Sequence, residues 1–371
     1  MASLFDDDEL DFAPSSAPEE IEPHTPLQNQ KIFGHARVEE LLLGDFQRGS
    51  LPGGYLFCGK RGIGKASMAY RLAKFLLAQK PAEPCLFGDA PIAPTSLQTS
   101  NHSPEVARVL AGGHSGLLVL EPAFDEKKGK YKSEIPVAEM RKIGNFMSMT
   151  AGEGSYRIVI VDPVDALNDN AANAMLKWLE EPPERGLFIL VCHTAGKILP
   201  TIRSRCRTVS FGALNEQEFS SVLNAQNIYV KDSELEDLQL LSGGAPGIAV
   251  EIHEKNGIKF YQEWMDLLIN ISPAQMEKLQ TLCNNWNSKL DFALMTQIIT
   301  GCLARIIKIA AGEHSNNSQL QALARRQSVD YWLDFWERTN KILSDTPRLY
   351  LDSSQVLLEV SLGMAGYKVA F

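Results

Sequence analysis

Apolar positions along the chain follow two periods. Y-L-F-C (Tyr55 to Cys58), L-L-V-L (Leu117 to Leu120), Y-R-I-V-I-V-D (Tyr156 to Asp162) and L-F-I-L-V-C-H (Leu187 to His193) are short, nearly unbroken apolar runs. Such runs predict strands buried on both faces. Between them apolar residues return every three or four positions. Val38 to Phe46 reads as a helix in this way. So does Lys65 to Gln79, with Met68, Leu72, Phe75 and Leu76 on one face, and so does Val137 to Met149. N-D-N-A-A-N-A-M-L-K-W-L-E-E-P-P (Asn168 to Pro183) opens on a polar residue and stops at two prolines, as a capped helix does. Strands alternating with helices predict an α/β domain built on a mostly parallel sheet covered on both faces.

After Phe211 the strand period is gone. Asn215 to Asn224 and Ser233 to Leu241 read as short helices, followed by the break S-G-G-A-P-G (Ser242 to Gly247). Longer helical stretches follow over Phe260–Ile269, Pro273–Trp286, Leu290–Ala311, Leu320–Ser344 and Ser353–Tyr367. The predicted organisation is an N-terminal tail over residues 1–30, an α/β domain over 31–212, a small helical domain over 213–255 and an all-helical domain over 256–371. Within the second of these, Lys80 to Gly116 is rich in proline and small polar residues and is expected to hold little regular structure. Asp125 to Lys132 is a charged, exposed loop. The tail carries Asp6, Asp7, Asp8, Glu9, Asp11, Glu19, Glu20 and Glu22 and no Lys or Arg. Composition of that kind predicts disorder. It is either a solubilising tail or a short docking peptide around Leu4, Phe5, Leu10 and Phe12.

Composition narrows the function classes. Of 371 residues 44% are hydrophobic, enough for large cores, and the formal net charge is -9. A protein that grips DNA alone shows a basic excess, so a DNA role is expected only through partners or a local patch such as Lys127 to Lys132. Six scattered cysteines, an acidic rather than apolar start, and no apolar run of ~18 residues predict a reduced, cytoplasmic protein without signal peptide or membrane span.

The chemistry concentrates in three places. G-K-R-G-I-G-K (Gly59 to Lys65) lies between a strand and a helix, the context of a phosphate-cradling loop. Its Gly59, Gly62 and Gly64 would let backbone N–H groups approach phosphate oxygens at a helix N-terminus, and Lys65 would reach the terminal phosphates. The next residue should bring a hydroxyl to magnesium but is Ala66. Ser67 follows one place later, rotated by about 100° on a helix. The loop is therefore either a nucleotide site or a relic that keeps its shape. Asp162 ends its strand where a magnesium carboxylate belongs, yet Pro163 stands where a water-activating base is needed, a loss worth roughly 10²–10⁴ in rate. Asp165 is a weak stand-in, a turn further on. Finally, L-P-T-I-R-S-R-C-R (Leu199 to Arg207) clusters Arg203, Arg205 and Arg207 between a helix and a strand. These arginines either act on a ligand or cap the helix and pair with Glu180 and Glu181, a structural part that suits Arg203 or Arg207.

The segments Leu51 to Ser67, Ala171 to Pro183 and Leu199 to Arg207 together resemble the delta-prime subunits of the bacterial DNA polymerase III clamp loader, within the AAA+ superfamily. The resemblance covers the first two thirds of the chain. It implies an AAA+ P-loop domain, a helical lid and a helical collar that builds a five-subunit ring. It implies that Arg205 enters the ATP site of a neighbouring motor subunit, while this chain is a fairly fixed stator in the loading of a sliding clamp onto primer-template DNA. The implied partners are motor (gamma/tau-type) and clamp-opening (delta-type) subunits, with no membrane partner. Three departures from motor subunits matter. D-P-V-D replaces D-E-x-x at Asp162. In the lid motif G-S-x-R, Gly247 stands in the arginine's place. The four-cysteine zinc knuckle is reduced to Cys85, with only His102 and His114 near it. No zinc and no intrinsic ATPase are therefore expected, while bound ATP or ADP with magnesium stays open. The competing readings are a motor subunit of the same loader, a P-loop phosphotransferase on a small molecule, and a direct DNA-binding module.

Overall fold

A computed structural model of the chain describes residues 25–29, 31–79, 93–125, 130–132, 134–148, 155–286 and 290–369. The tail positions Leu4, Phe5, Leu10 and Phe12 lie outside these residues, as does Cys85. Seven strands occur among them: β1 (Gly54–Cys58), β2 (Leu117–Leu120), β3 (Phe124–Asp125), β4 (Lys130–Tyr131), β5 (Arg157–Val161), β6 (Gly186–Cys192) and β7 (Arg207–Ser210). Five of them form one parallel sheet in the order β2-β5-β6-β1-β7. Every residue of β6 after Gly186 is buried, as a central strand covered on both faces requires. β3 and β4 pair antiparallel as a small ribbon, where the sequence predicts only a charged loop.

The sheet carries α1 (Ala36–Gln47), α2 (Lys65–Leu77), α3 (Pro104–Leu110), α4 (Val137–Ser148), α5 (Asp169–Glu180) and the single turn α6 (Pro200–Arg203). α3 corrects the expectation of little regular structure before Gly116. Ser103 precedes it, Pro104 opens it, and it buries Val106 and Val109. Asn168 caps α5 by accepting from the Ala171 N–H at 3.0 Å.

Three short helices follow: α7 (Glu216–Ala225), α8 (Asp232–Ser242) and α9 (Pro246–Glu254). α7 starts in a capping box between Asn215 and Glu218. α8 stops at Gly243, whose φ of 60° suits a residue without Cβ. The remaining helices are α10 (Gly257–Ile269), α11 (Pro273–Asn285), α12 (Phe292–Ala310), α13 (Ser318–Ala324), α14 (Val329–Leu349) and α15 (Ser353–Met364). The predicted single helix over Leu320–Ser344 is two helices. Ser328 starts the second by accepting from the Tyr331 N–H at 3.2 Å, and Trp332 turns back to the Ala324 carbonyl at 3.2 Å. By length and mean hydropathy α12 could cross a membrane. It nevertheless carries Arg305 and Lys308 and packs Leu294, Ile298, Cys302 and Leu303 against α8, α13 and α14, as a core helix does.

Side chains alternate across the sheet into two apolar cores. Leu56, Val159, Leu190 and Phe188 face α4 and α5, together with Ile202 and Cys206. Phe57, Ile160 and Ile189 face the other way and join Leu42, Leu72, Leu241, Ile298 and Val360 in one continuous cluster. That second core runs from the sheet through α7–α9 to the last helix. The seam between α8 and α12 is close: a Cβ on Gly301 would lie 2.7 Å from the Leu241 carbonyl oxygen, and Gln297 donates to that same oxygen at 3.1 Å.

Candidate functional site

β1 delivers the phosphate loop and α2 receives it. Gly62 and Gly64 take φ of 74° and 105°, a region that favours glycine. Lys65 is buried and folds back on its own loop, donating to the carbonyls of Gly59 at 2.7 Å and Lys60 at 2.5 Å. Burial lowers its pKa to about 8, against the opposing pull of Asp162 and Asp165. Asp162 follows the end of β5, and burial pushes its carboxyl up to about 6, partly offset by Lys65. Asp165 accepts instead from the His193 N–H at 2.7 Å, at the end of the neighbouring strand. His193 is held near 4 by burial and by Lys65, and its buried Nδ1 has no hydrogen-bond partner.

The start of α9 closes on this loop. The Gly247 N–H donates to the Gly62 carbonyl at 2.8 Å. A Cβ on Gly247 would lie 2.9 Å from the Gly62 Cα, and one on Gly62 would lie 2.7 Å from the Ile248 nitrogen. Arg61 grips Glu251 of α9 with both terminal nitrogens, at 2.6 and 3.2 Å. Ser67 is engaged as well: it accepts from Asn29 Nδ2 at 2.9 Å, and Asn29 Oδ1 accepts from Gln226 at 3.0 Å. Ala66 offers no hydroxyl. Thus the lysine and the hydroxyl that would meet phosphate and magnesium both bond within the chain, and Gly247 brings no side chain to the place where the resemblance puts a lid arginine. In this arrangement neither Lys65 nor Ser67 can meet a nucleoside triphosphate with magnesium without first leaving its present partners.

The arginine segment lies on the other core. Cys206 is buried, its thiol pushed up to about 12 by that burial. A Cβ on Gly54 would lie 3.0 Å from its sulfur and 3.2 Å from Leu179. Arg205 is exposed. Its Nη2 lies 2.7 Å from Glu180 Oε1, and its Nη1 donates to the Thr201 carbonyl at 3.0 Å and to Ser204 Oγ at 3.4 Å. This reverses the expected pairing, in which Arg203 or Arg207 suited Glu180. Arg203 donates instead to the Ala195 carbonyl, and Arg207 reaches Asp45 of α1 at 2.5 and 2.6 Å. Asp45 is fully buried and also accepts from Tyr55 at 2.7 Å and Arg48 at 2.5 Å. A charge at such a site survives only when paired. Sequence reasoning missed Asp45, although an acid inside the apolar run L-L-L-G-D-F signals a buried pair. Of the candidate zinc ligands, His114 accepts from the Gly116 N–H at 3.0 Å. Among the described residues no three His, Cys, Asp or Glu side chains come together for a metal.

The family described as "DNA polymerase III, delta subunit" matches residues 34–215. The DNA polymerase III subunit delta' of Pseudomonas aeruginosa is 32% identical over 239 residues, covering 63% of this chain and 65% of that protein. The subunit delta' of Bacillus subtilis is 29% identical over 194 residues, 52% of each chain. The subunit tau of Bacillus subtilis is 27% identical over 225 residues, covering 59% of this chain and 36% of that one. The chain spans less than two thirds of the length of each of these relatives.

Proposed function

We propose that this chain, which matches the DNA polymerase III delta family over residues 34–215 and resembles delta' subunits, is the non-hydrolysing, fixed subunit of an AAA+ clamp loader. In this reading Arg205 acts in trans on ATP held by a neighbouring gamma/tau-type motor subunit. A delta-type subunit opens the clamp, and the clamp and primer-template DNA are met through the complex. α7–α9 serve as the lid and α10–α15 as the collar of the ring.

The observation that carries the reading is the contrast between the two halves of a switch. The chain's own phosphate loop is turned inward, with Lys65 on Gly59 and Lys60 and with Gly247 on Gly62. Arg205 is turned outward on a turn pinned by buried Ile202 and Cys206. An arginine on a γ-phosphate stabilises charge that develops in the transition state, worth about 10³–10⁵ in rate where it has been measured. Lysine lacks the planar fork and would replace it poorly.

The test is a loader reconstituted with Arg205→Ala, Arg205→Lys and, as a surface control, Arg203→Ala. Both Arg205 variants are expected to assemble normally and to lower clamp- and DNA-stimulated ATP turnover, with clamp loading falling further. The loss at steady state is partial, since other motor sites continue. Arg203→Ala should stay near wild type. Unchanged turnover and loading with Arg205→Ala would overturn the reading. The purified chain alone should turn over no ATP above background; magnesium-dependent turnover abolished by Lys65→Ala would contradict the non-hydrolysing part.

A further inference from the structure

We propose that Glu180 is a positioning residue for Arg205, holding its guanidinium in the orientation that meets a neighbour's phosphate; this rests on the reading that Arg205 acts in trans. The backbones of the two residues are already locked together. Leu179 and Cys206, their buried neighbours, meet over Gly54. Past the end of α5, Pro182 packs on Gly53, where a Cβ would lie 2.6 Å from the proline Cγ. What stays free is the long arginine side chain, and Glu180 and the Thr201 carbonyl are what restrain it.

The pair's exposure argues against a role in stability. The side chains are 34% and 48% exposed, and exposed ion pairs contribute about 0–1 kcal/mol. The donor count argues against a competing role. A guanidinium has five N–H donors. Thr201 and Ser204 engage Nη1, and Glu180 faces Nη2. The Nε–H edge has no acceptor among the described residues, so a phosphoryl oxygen can be taken without displacing the carboxylate. Holding one side of the fork while the other stays open is what preorganisation requires.

The experiment uses the complete reconstituted loader with wild type, Glu180→Ala, Glu180→Gln, Arg205→Ala and the double variant Glu180→Ala/Arg205→Ala. ATP turnover is followed against the concentration of this chain. Glu180→Ala should lower the Arg205-dependent turnover at saturation by about fivefold, the equivalent of about 1 kcal/mol. The half-saturating concentration should stay unchanged, as loss of a merely structural contact would not leave it. Glu180→Gln, whose amide oxygen still accepts, should recover most of the loss. In the Arg205→Ala background, removing Glu180 should have no further effect. Full or raised turnover with Glu180→Ala, or an equal loss in both backgrounds, overturns the positioning role while Arg205 keeps its own. No effect of Arg205→Ala itself overturns both.

Discussion

Burial holds the Asp162 carboxyl near 6 rather than 3.8. Between those two values the folded chain binds a proton that the unfolded chain does not, so stability falls as pH rises through that window. Above about 6 the ionised carboxylate is a standing cost. Asp162→Asn should therefore raise stability at pH 7.5 by ~1–2 kcal/mol, less than the full shift implies because the buried amide must itself find hydrogen-bond partners. The gain should vanish below about pH 4, where both states are protonated. Denaturant titrations at the two pH values check this; a pH-independent difference, or destabilisation at pH 7.5, contradicts it. The residues Gly59 to Lys65 and Asp162 are legible in the sequence because each motif is local. Their partners are not. Arg207 chooses Asp45, 162 positions away, and Arg205 takes the glutamate that suited Arg203 or Arg207, because packing around Gly54 decides which side chain emerges there.

At the scale of elements, the seam between α8 and α12 depends on Gly301. A methyl group there would press on the Leu241 backbone, at 2.7 Å from its oxygen and 3.1 Å from its Cα. Alanine gains about 1 kcal/mol of helix propensity over glycine, but backbone cannot yield as a flexible side chain can. Gly301→Ala is thus expected to destabilise by ~1–3 kcal/mol, read as a lower denaturation midpoint at unchanged slope; equal or greater stability would mean that the seam relaxes freely. The strands and most helices are legible because unbroken apolar runs and three-to-four spacing report burial directly. α3 is not, since seven residues with two buried positions carry too little periodicity. The break before α14 is hidden because apolar spacing continues through it on the same side, leaving Ser328 as its one local mark. Nothing in the spacing says that α8 and α12 meet backbone to backbone.

For the whole molecule, the change in period after Phe211 marks where the sheet ends, but it says nothing of how the parts join. They join through one apolar cluster that runs from Leu42 and Ile189 to Ile298 and Val360. Shared burial of that kind couples unfolding. Sheet, α7–α9 and α10–α15 should therefore melt in a single calorimetric transition with matching calorimetric and van't Hoff enthalpies; two resolved transitions would show separable units. The contact of Gly247 on Gly62 has a further consequence in the language of linkage. A ligand stabilises only the conformer that binds it, and its apparent affinity is weakened by the rarity of that conformer. With α9 seated on Gly62 and Lys65 folded onto its own loop, this conformer has to rearrange before Lys65 meets a phosphate. A nucleotide that needs such a rearrangement would be a ligand of an excited state, and the melting temperature would stay blind to it until its concentration exceeded the intrinsic dissociation constant divided by the open fraction.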